Sequence, residues 1–377
     1  MQQTGTIGIV GGGQLGRMLT EAALPLGFKV VVLNPTANSP ASQVGAEEII
    51  GDLYDSEALK QLADRSDYLT VEIEHLDADI LKKLESNDKP INPSPQTIKL
   101  IQDKFAQKQW LHEVGIPIAN FVEITDQASG EKALNDFGGK MLLKTRHGAF
   151  DGRGNALIES LDSLKLALQS FDGKKVYAEK FISFTKELAV VLARDVNGNV
   201  TTYNTVETIH RRNICVEVMA PAQVESSISQ KAQAVAQNVA KYLEGAGVFA
   251  IEMFLTVAGD VLVNEIAPRV HNSGHYTIEA CETSQFTQHI RAITGMELGL
   301  MDMKVPAAVM INILGERDGP VKLDGVQEAE KDPNTKVHIY GKSPTKIDRK
   351  MGHITSVGVT VELAKERAET ARSLISI

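Results

Sequence analysis

The sequence predicts a mixed fold in three parts: an N-terminal α/β unit on a parallel sheet, a central α+β unit, and a small β-rich C-terminal unit. Three observations carry this reading. Short β-branched runs alternate with helical stretches from residue 6 to about 90, which is the pattern of parallel strands with crossover helices. Three prolines then fall within the seven residues Lys89–Pro95 and mark a boundary. Beyond them strands dominate, and turn residues such as Asn197-Gly198-Asn199 join neighbours as antiparallel hairpins. The expected units are 1–100, 101–298 and 299–377, in keeping with two or three domains for 377 residues.

In the first unit, strands are expected at Thr6–Val10, Lys29–Leu33 and Tyr68–Val71, with helices at Gln14–Leu26, Ser56–Ala63 and Asp77–Leu84. In the second, a helix over Asp103–Val114 is stopped by Gly115-Ile116-Pro117. Strands follow at Lys140–Lys144, Val176–Phe181, Glu187–Ala193, Val200–Val206, Phe249–Leu255 and Val261–Ile266. The third unit has strands near Ala308–Leu314, Lys336–Tyr340 and His353–Val359, then a short helix.

Composition narrows the function. A net charge of −9, from 39 basic and 48 acidic residues, argues against nucleic acid as a partner, which needs a basic footprint. It leaves room for an anionic small substrate met by a few local cations. Cys215 and Cys281 form no metal-ligand spacing and read as buried free thiols in a reducing cytoplasm. No apolar run approaches the ~18 residues that a membrane span needs.

Gly11-Gly12-Gly13-Gln14-Leu15-Gly16 satisfies GxGxxG between a strand and a helix, where free N–H groups attract a phosphate. A dinucleotide enzyme also needs an acidic residue at the end of the second strand, and here that strand ends in Asn34-Pro35. An NAD-dependent oxidoreductase is therefore disfavoured and a mononucleotide phosphate is expected on the loop. Glu72 and Glu74, two apart at the end of a strand, are expected on one face.

Lys144 ends a strand and precedes the glycine-rich loop His147–Asn155, a pairing suited to neutralising phosphates and closing over them. It lacks Walker spacing. Further on, a hairpin centred on Ala258-Gly259 would set Glu252 directly opposite Glu265. Facing carboxylates are destabilising unless neutralised, and a magnesium ion with nucleotide phosphates does so. Asn264 points to the opposite face unless the strand is bulged. The polar run Ala267–His275 follows at once and suits an anionic second substrate.

With these motifs in view, the chain resembles the ATP-grasp superfamily and, within it, the 5-(carboxyamino)imidazole ribonucleotide synthases. The likeness runs from Gly11–Leu19 through Glu72/Glu74, Asp151–Gly154, Ile209–Cys215, Asn264–His275 and Ala308–Gly315 to Lys350–His353. It implies that ATP, bicarbonate and aminoimidazole ribonucleotide give the carboxyamino product, ADP and phosphate through carboxyphosphate. ATP would lie between two antiparallel sheets, with Mg²⁺ on Glu252 and Glu265, joined by Asn264. By motif position Lys104, Lys144, His210 and the loop Ala149, Phe150, Asp151, Gly152, Arg153, Gly154 and Asn155 would bind the nucleotide. Glu179, Lys180, Phe181 and Ile182 would form the adenine hinge and Glu187 would hold the ribose. Gln14, Leu15, Lys342 and Arg349 would take the ribonucleotide phosphate, and Glu74, Arg153, Arg269, His271 and Asn272 its remainder. Arg153, Lys144 and Glu74 would serve the chemistry. The family commonly has Tyr where this chain has Phe150, so no role for that hydroxyl carries over. A homodimer is expected from the family. The rival within the superfamily is a formate-dependent glycinamide ribonucleotide transformylase.

Overall fold

The computed structural model describes residues 5–85, 89–148, 154–171 and 173–377. Four parallel strands open the chain: β1 (Thr6–Val10), β2 (Lys29–Asn34), β3 (Glu47–Ile50) and β4 (Tyr68–Val71), ordered β3-β2-β1-β4. The parallel sheet is as the alternation predicts. β3 escaped it because Glu47-Glu48-Ile49-Ile50 is a short edge strand with one buried side chain. The first helix ends at Ala23, and a single 3-10 turn around Pro25 completes the expected stretch. Pro25 has no N–H to continue an α-helical ladder.

A second sheet holds β5 (Phe121–Ile124), β6 (Met141–Thr145), β7 (Asn155–Ile158) and β8 (Val176–Lys180), in the antiparallel order β5-β8-β6-β7. The third contains β9 (Phe184–Arg194), β10 (Val200–Thr202), β11 (Val206–Arg211), β12 (Ile214–Ala220), β13 (Gly247–Thr256), β14 (Val261–Ala267), β15 (Ala307–Leu314), β16 (Thr335–Ile339) and β17 (Lys350–Gly358). Its order is β14-β13-β9-β11-β12-β15-β17-β16, with β10 on β9 through the Asn197–Asn199 turn. The single strand expected over Val200–Val206 is therefore two. The C-terminal strands extend the central sheet rather than forming a sheet of their own, because β15 pairs with β12.

Several helices went unread, the longest being Ser226–Tyr242. Its buried stripe of Ala232, Val235, Ala236, Val239 and Ala240 has helical spacing, but alanines give it little apolar contrast. The helix expected at Asp103–Val114 runs Lys104–Glu113, with the Asp103 carboxylate accepting from the amides of Phe105 and Ala106. The closing helix, Val361–Leu374, is 14 residues long. Both cysteines are buried free thiols. Among the described residues no helix is long and apolar enough to cross a membrane.

Candidate active site

At the glycine loop, the anion facing the helix start is a side chain of the protein itself. β4 ends at Val71, and Glu72 turns back so that its Oε1 accepts from the Gly13 amide at 2.5 Å and its Oε2 from Gly16 at 2.6 Å. Two of the four open N–H groups at the helix start are thereby used, which blocks the pyrophosphate seat of a dinucleotide and adds to the case of Asn34 against NAD. The glycines fit this carboxylate: a Cβ on Gly11, at φ +103°, would sit 2.4 Å from Glu72 Cγ, and one on Gly13 would sit 2.6 Å from Oε1. Gln14 and Leu15 follow at the first two helical positions, where backbone N–H groups have no partner within the helix.

Glu74 does not share Glu72's role, since period-two geometry ends with the strand. It is bound two-fold by Arg269, with Nε–Oε2 at 2.6 Å and Nη2–Oε1 at 3.2 Å. Burial works against its charge, but the Arg269 guanidinium prevails and holds its pKa at about 2. For Glu72, burial pushes the pKa up against the pull of the Gly16 and Gly13 amides and then of the Lys342 and Arg269 charges.

At the other end of the site, Glu252 on β13 stands opposite Glu265 on β14. The way they meet differs from the expectation. Next to the turn the pairs run Leu255 with Val261 and Met253 with Val263, a register centred on Ala258, which alone would set Glu252 against Asn264. A bulge at Asn264 adds the half-step that brings Glu265 into line. Classic bulges turn two neighbouring residues towards one partner, which is how Asn264 and Glu265 can serve one ion.

Lys104 Nζ donates to Glu265 Oε2 at 2.5 Å. Burial opposes ionisation of Glu265, yet Lys104 lowers its pKa. Glu252 fares worse: burial and then the Glu265 charge push it up to about 7. His210, whose own pKa Glu187 raises against burial, and then Lys104 pull it back, while His271 Nε2 lies 3.2 Å from its Oε1. Burial, Arg269 and Lys350 hold that imidazole down at about 3, so it is neutral. A half-buried carboxylate pair with one lysine between two charges suits a hard divalent cation, so these residues fit magnesium.

Beyond the acidic pair, on the Lys104 side, lies the lysine cluster. Glu179 on β8 is buried and accepts from Lys144 at 2.9 Å, while Lys108 sits 3.2 Å from its other oxygen and the Tyr177 hydroxyl donates to that oxygen at 3.1 Å. Burial is outweighed by Lys108 and then Lys144, and Glu179 stays ionised to about pH 2. The Lys180 and Phe181 amides donate to the carbonyls of Asn120 and Lys140, so neither is open in the segment Glu179–Ile182 expected to read a base. Glu187 and His210 face each other at 3.0 Å. Gly154 and Asn155 begin the return strand beside Lys144, while Ala149, Phe150, Asp151, Gly152 and Arg153 lie outside the described residues.

The loop after β14 is held from behind. Gln285 receives the His271 amide at 2.9 Å and donates to the His271 carbonyl at 2.7 Å. Asn272 and Asn312 exchange side-chain amide bonds at 3.1 and 2.6 Å, which commits Asn272 to the core of the loop. Lys342 donates to the Lys350 carbonyl at 2.9 Å, and its charge lowers the pKa of Glu72. Arg349 donates to the Pro344 carbonyl at 2.6 Å, at the surface. Sequence reasoning missed Lys108, Gln285, Asn312 and Lys350. Only Lys108 had a local signal, one helical turn after Lys104; the others act across long separations.

Known proteins resemble this chain over nearly its whole length. Residues 4–102 match the ribonucleotide synthetase preATP-grasp domain, 109–286 the ATP-grasp domain, and 308–367 the phosphoribosylaminoimidazole carboxylase C-terminal domain. The chain is 45% identical over 372 residues to the phosphoribosylaminoimidazole carboxylase of Ogataea methanolica, covering 96% of this chain and 68% of that one. It spans about two thirds of the length of such carboxylases. With the N5-carboxyaminoimidazole ribonucleotide synthase of Bacillus subtilis it shares 40% identity over 93% of this chain and 90% of that one. The synthetase structure from Thermotoga maritima superposes with a TM-score of 0.88 at 43% identity, covering 99% of both chains. The Aspergillus clavatus synthase, solved with ADP and 5-aminoimidazole ribonucleotide, gives 0.92 at 38% identity, again over 99% of both. On this likeness and the site it covers, the chain belongs to the N5-carboxyaminoimidazole ribonucleotide synthase family.

Proposed function

We propose that the chain carboxylates the exocyclic amine of 5-aminoimidazole ribonucleotide with bicarbonate, using ATP and releasing ADP and phosphate. The observation that carries this reading is the facing Glu252/Glu265 pair, flanked by Lys104 on one side and by Arg269 and His271 on the other. Such a site serves a nucleotide triphosphate on its lysine side and an anionic acceptor on the other. The three units 1–100, 101–298 and 299–377 would divide the work into ribonucleotide binding, ATP binding and a phosphate-side wall.

A magnesium ion on Glu252, Glu265 and Asn264 would supply charge neutralisation at the phosphates. The rest is the work of side chains. Lys104 and Lys144 offset the triphosphate, and Glu179 through Ile182 hold the base. Bicarbonate oxygen attacks the γ-phosphorus while the bond to the ADP oxygen breaks. Arg153 and the remaining loop residues would cover the developing charge. Glu74 keeps Arg269 extended beside His271, whose neutral Nε2–H is available as a donor near Glu252. The amine then attacks the activated carboxyl carbon, phosphate departs, and the amine proton leaves to solvent. Exclusion of water protects the activated carboxyl group until then. Gln14, Leu15 and Lys342 would seat the ribonucleotide phosphate. The family resemblance also supports a homodimer in the cytoplasm.

The test is ADP release measured with each substrate omitted in turn. Turnover should require both bicarbonate and aminoimidazole ribonucleotide. If glycinamide ribonucleotide with formate replaces them, the transformylase reading is right instead.

A further inference from the structure

The helix Lys104–Glu113 turns three side chains towards β14 at positions i, i+3 and i+4. Lys104 holds the Glu265 carboxylate. Gln107 Oε1 accepts from the Ile266 amide at 3.1 Å, and Lys108 Nζ donates to the Val263 carbonyl at 3.3 Å. These last two contacts bracket Asn264-Glu265, the bulge that brings the acidic pair into register. β14 is the outermost strand of its sheet, and its open side is met at Val263 by a bridge to Ile118, where the Val263 amide donates to the Pro117 carbonyl at 2.8 Å. Beside that bridge, Gln107 and Lys108, each about 2% exposed, add side-chain partners for the Ile266 amide and the Val263 carbonyl.

Lys108 also has a second partner. With Lys144 it shares Glu179, one ammonium near each oxygen at 3.2 and 2.9 Å. Two lysines and one glutamate leave a net single positive charge. Without Lys108 the remaining pair would sum to zero, and the lysine facing the nucleotide would be cancelled by its own neighbour. Breaking a buried ion group from one side is costly in any case, since it strands the partner.

We propose that Lys108 is a positioning residue of the nucleotide site, clasping the strand that carries Asn264 and Glu265 while taking half of Glu179 so that Lys144 keeps its charge for phosphate. This rests on the ATP reading above. Lys108 touches no substrate in this scheme; it acts through β14 and through Lys144.

The experiment compares wild type, Lys108→Met and Lys108→Met with Glu179→Gln, using the full chain. ATP affinity is measured calorimetrically with magnesium and with a chelator, beside the KM of each substrate. Lys108→Met should weaken ATP binding more than tenfold under both conditions, while the KM for aminoimidazole ribonucleotide stays within about threefold. The double variant, whose net charge at the cluster matches wild type, should regain at least a third of the lost affinity on a logarithmic scale. Wild-type ATP affinity in Lys108→Met overturns the proposal, as does a double variant no tighter than the single one. If Lys108→Met does not fold, the double variant against wild type and Glu179→Gln carries the same comparison. A wild-type protein that binds no ATP would instead overturn the functional reading on which this rests.

Discussion

Glu72 at the glycine loop and Glu252 on the bulged hairpin are both half-buried carboxylates whose ionisation that partial burial opposes. Their surroundings answer that cost differently. Around Glu72 the backbone supplies two short amide donors, and the glycines leave the space that it fills. Around Glu252 the dominant neighbour after burial is another carboxylate, which outweighs the pull of His210 and Lys104, and the imidazole in contact is neutral. For one the donors are the protein's own backbone; beside the other the protein sets a second acid, where an added cation would fit. Residue type and partial burial are shared, so the partner set alone separates the two.

Three expectations would break or sharpen this contrast. The largest concerns the hairpin: Glu265→Gln should reduce turnover by about a hundredfold or more, roughly 3 kcal/mol in barrier, with the fold intact by circular dichroism. ADP release across a magnesium titration measures it, and full activity with an unchanged magnesium requirement would remove the metal assignment.

The second sets the two regions against each other in metal-free protein. Glu252→Gln should raise the melting temperature by about 2–4 °C by removing one of two facing charges, whereas Glu72→Gln should lower it by a similar amount. A glutamine offers its NH₂ where a glycine amide needs an acceptor. Shifts of the same sign would show that the two sites do not differ in the manner described.

The smallest is a pH effect at neither glutamate. Glu74 and Glu179 are held at about 2 in the fold against an ordinary value of 4.5. Their folded pKa values lie below the unfolded ones, so this stabilisation is complete above pH 4.5 and is lost as pH falls towards 2. Melting temperature should decline across that window, and less steeply in Glu74→Gln. An equal slope in the variant would count against the Arg269 pairing.

The sequence made the central hairpin legible because strand register is simple counting from a turn. Even so, counting reached Glu252 opposite Glu265 by an assumed centre half a residue off, and the bulge at Asn264 made up the difference. Bulges depend on what lies beside the strand, here Gln107 and Lys108, and a strand's own residues do not announce them. The glycine motif was legible as a strand-to-helix turn, but its occupant was not. Glu72 lies 56 residues from Gly16, and only the β1–β4 pairing brings them together. Lys144 and Glu187 were recognisable from motif position, whereas Asn312 reaches Asn272 across 40 residues.

The continuous sheet from β14 to β16 bears on where this chain can be cut. A fragment ending near residue 298 would keep both acidic strands and the lysine cluster, yet it would lose β15 and leave β12 as a bare edge. Met219 would lose the cover of Val309, Val361 and Ala364, and the Glu217 carboxylate would lose Lys365, which bonds it at 2.7 Å. An unpaired, apolar strand edge invites pairing with another chain. Expressed alone, the nucleotide-binding segment should therefore aggregate, and a soluble minimal version would need the C-terminal strands supplied in trans or a polar redesign of β12.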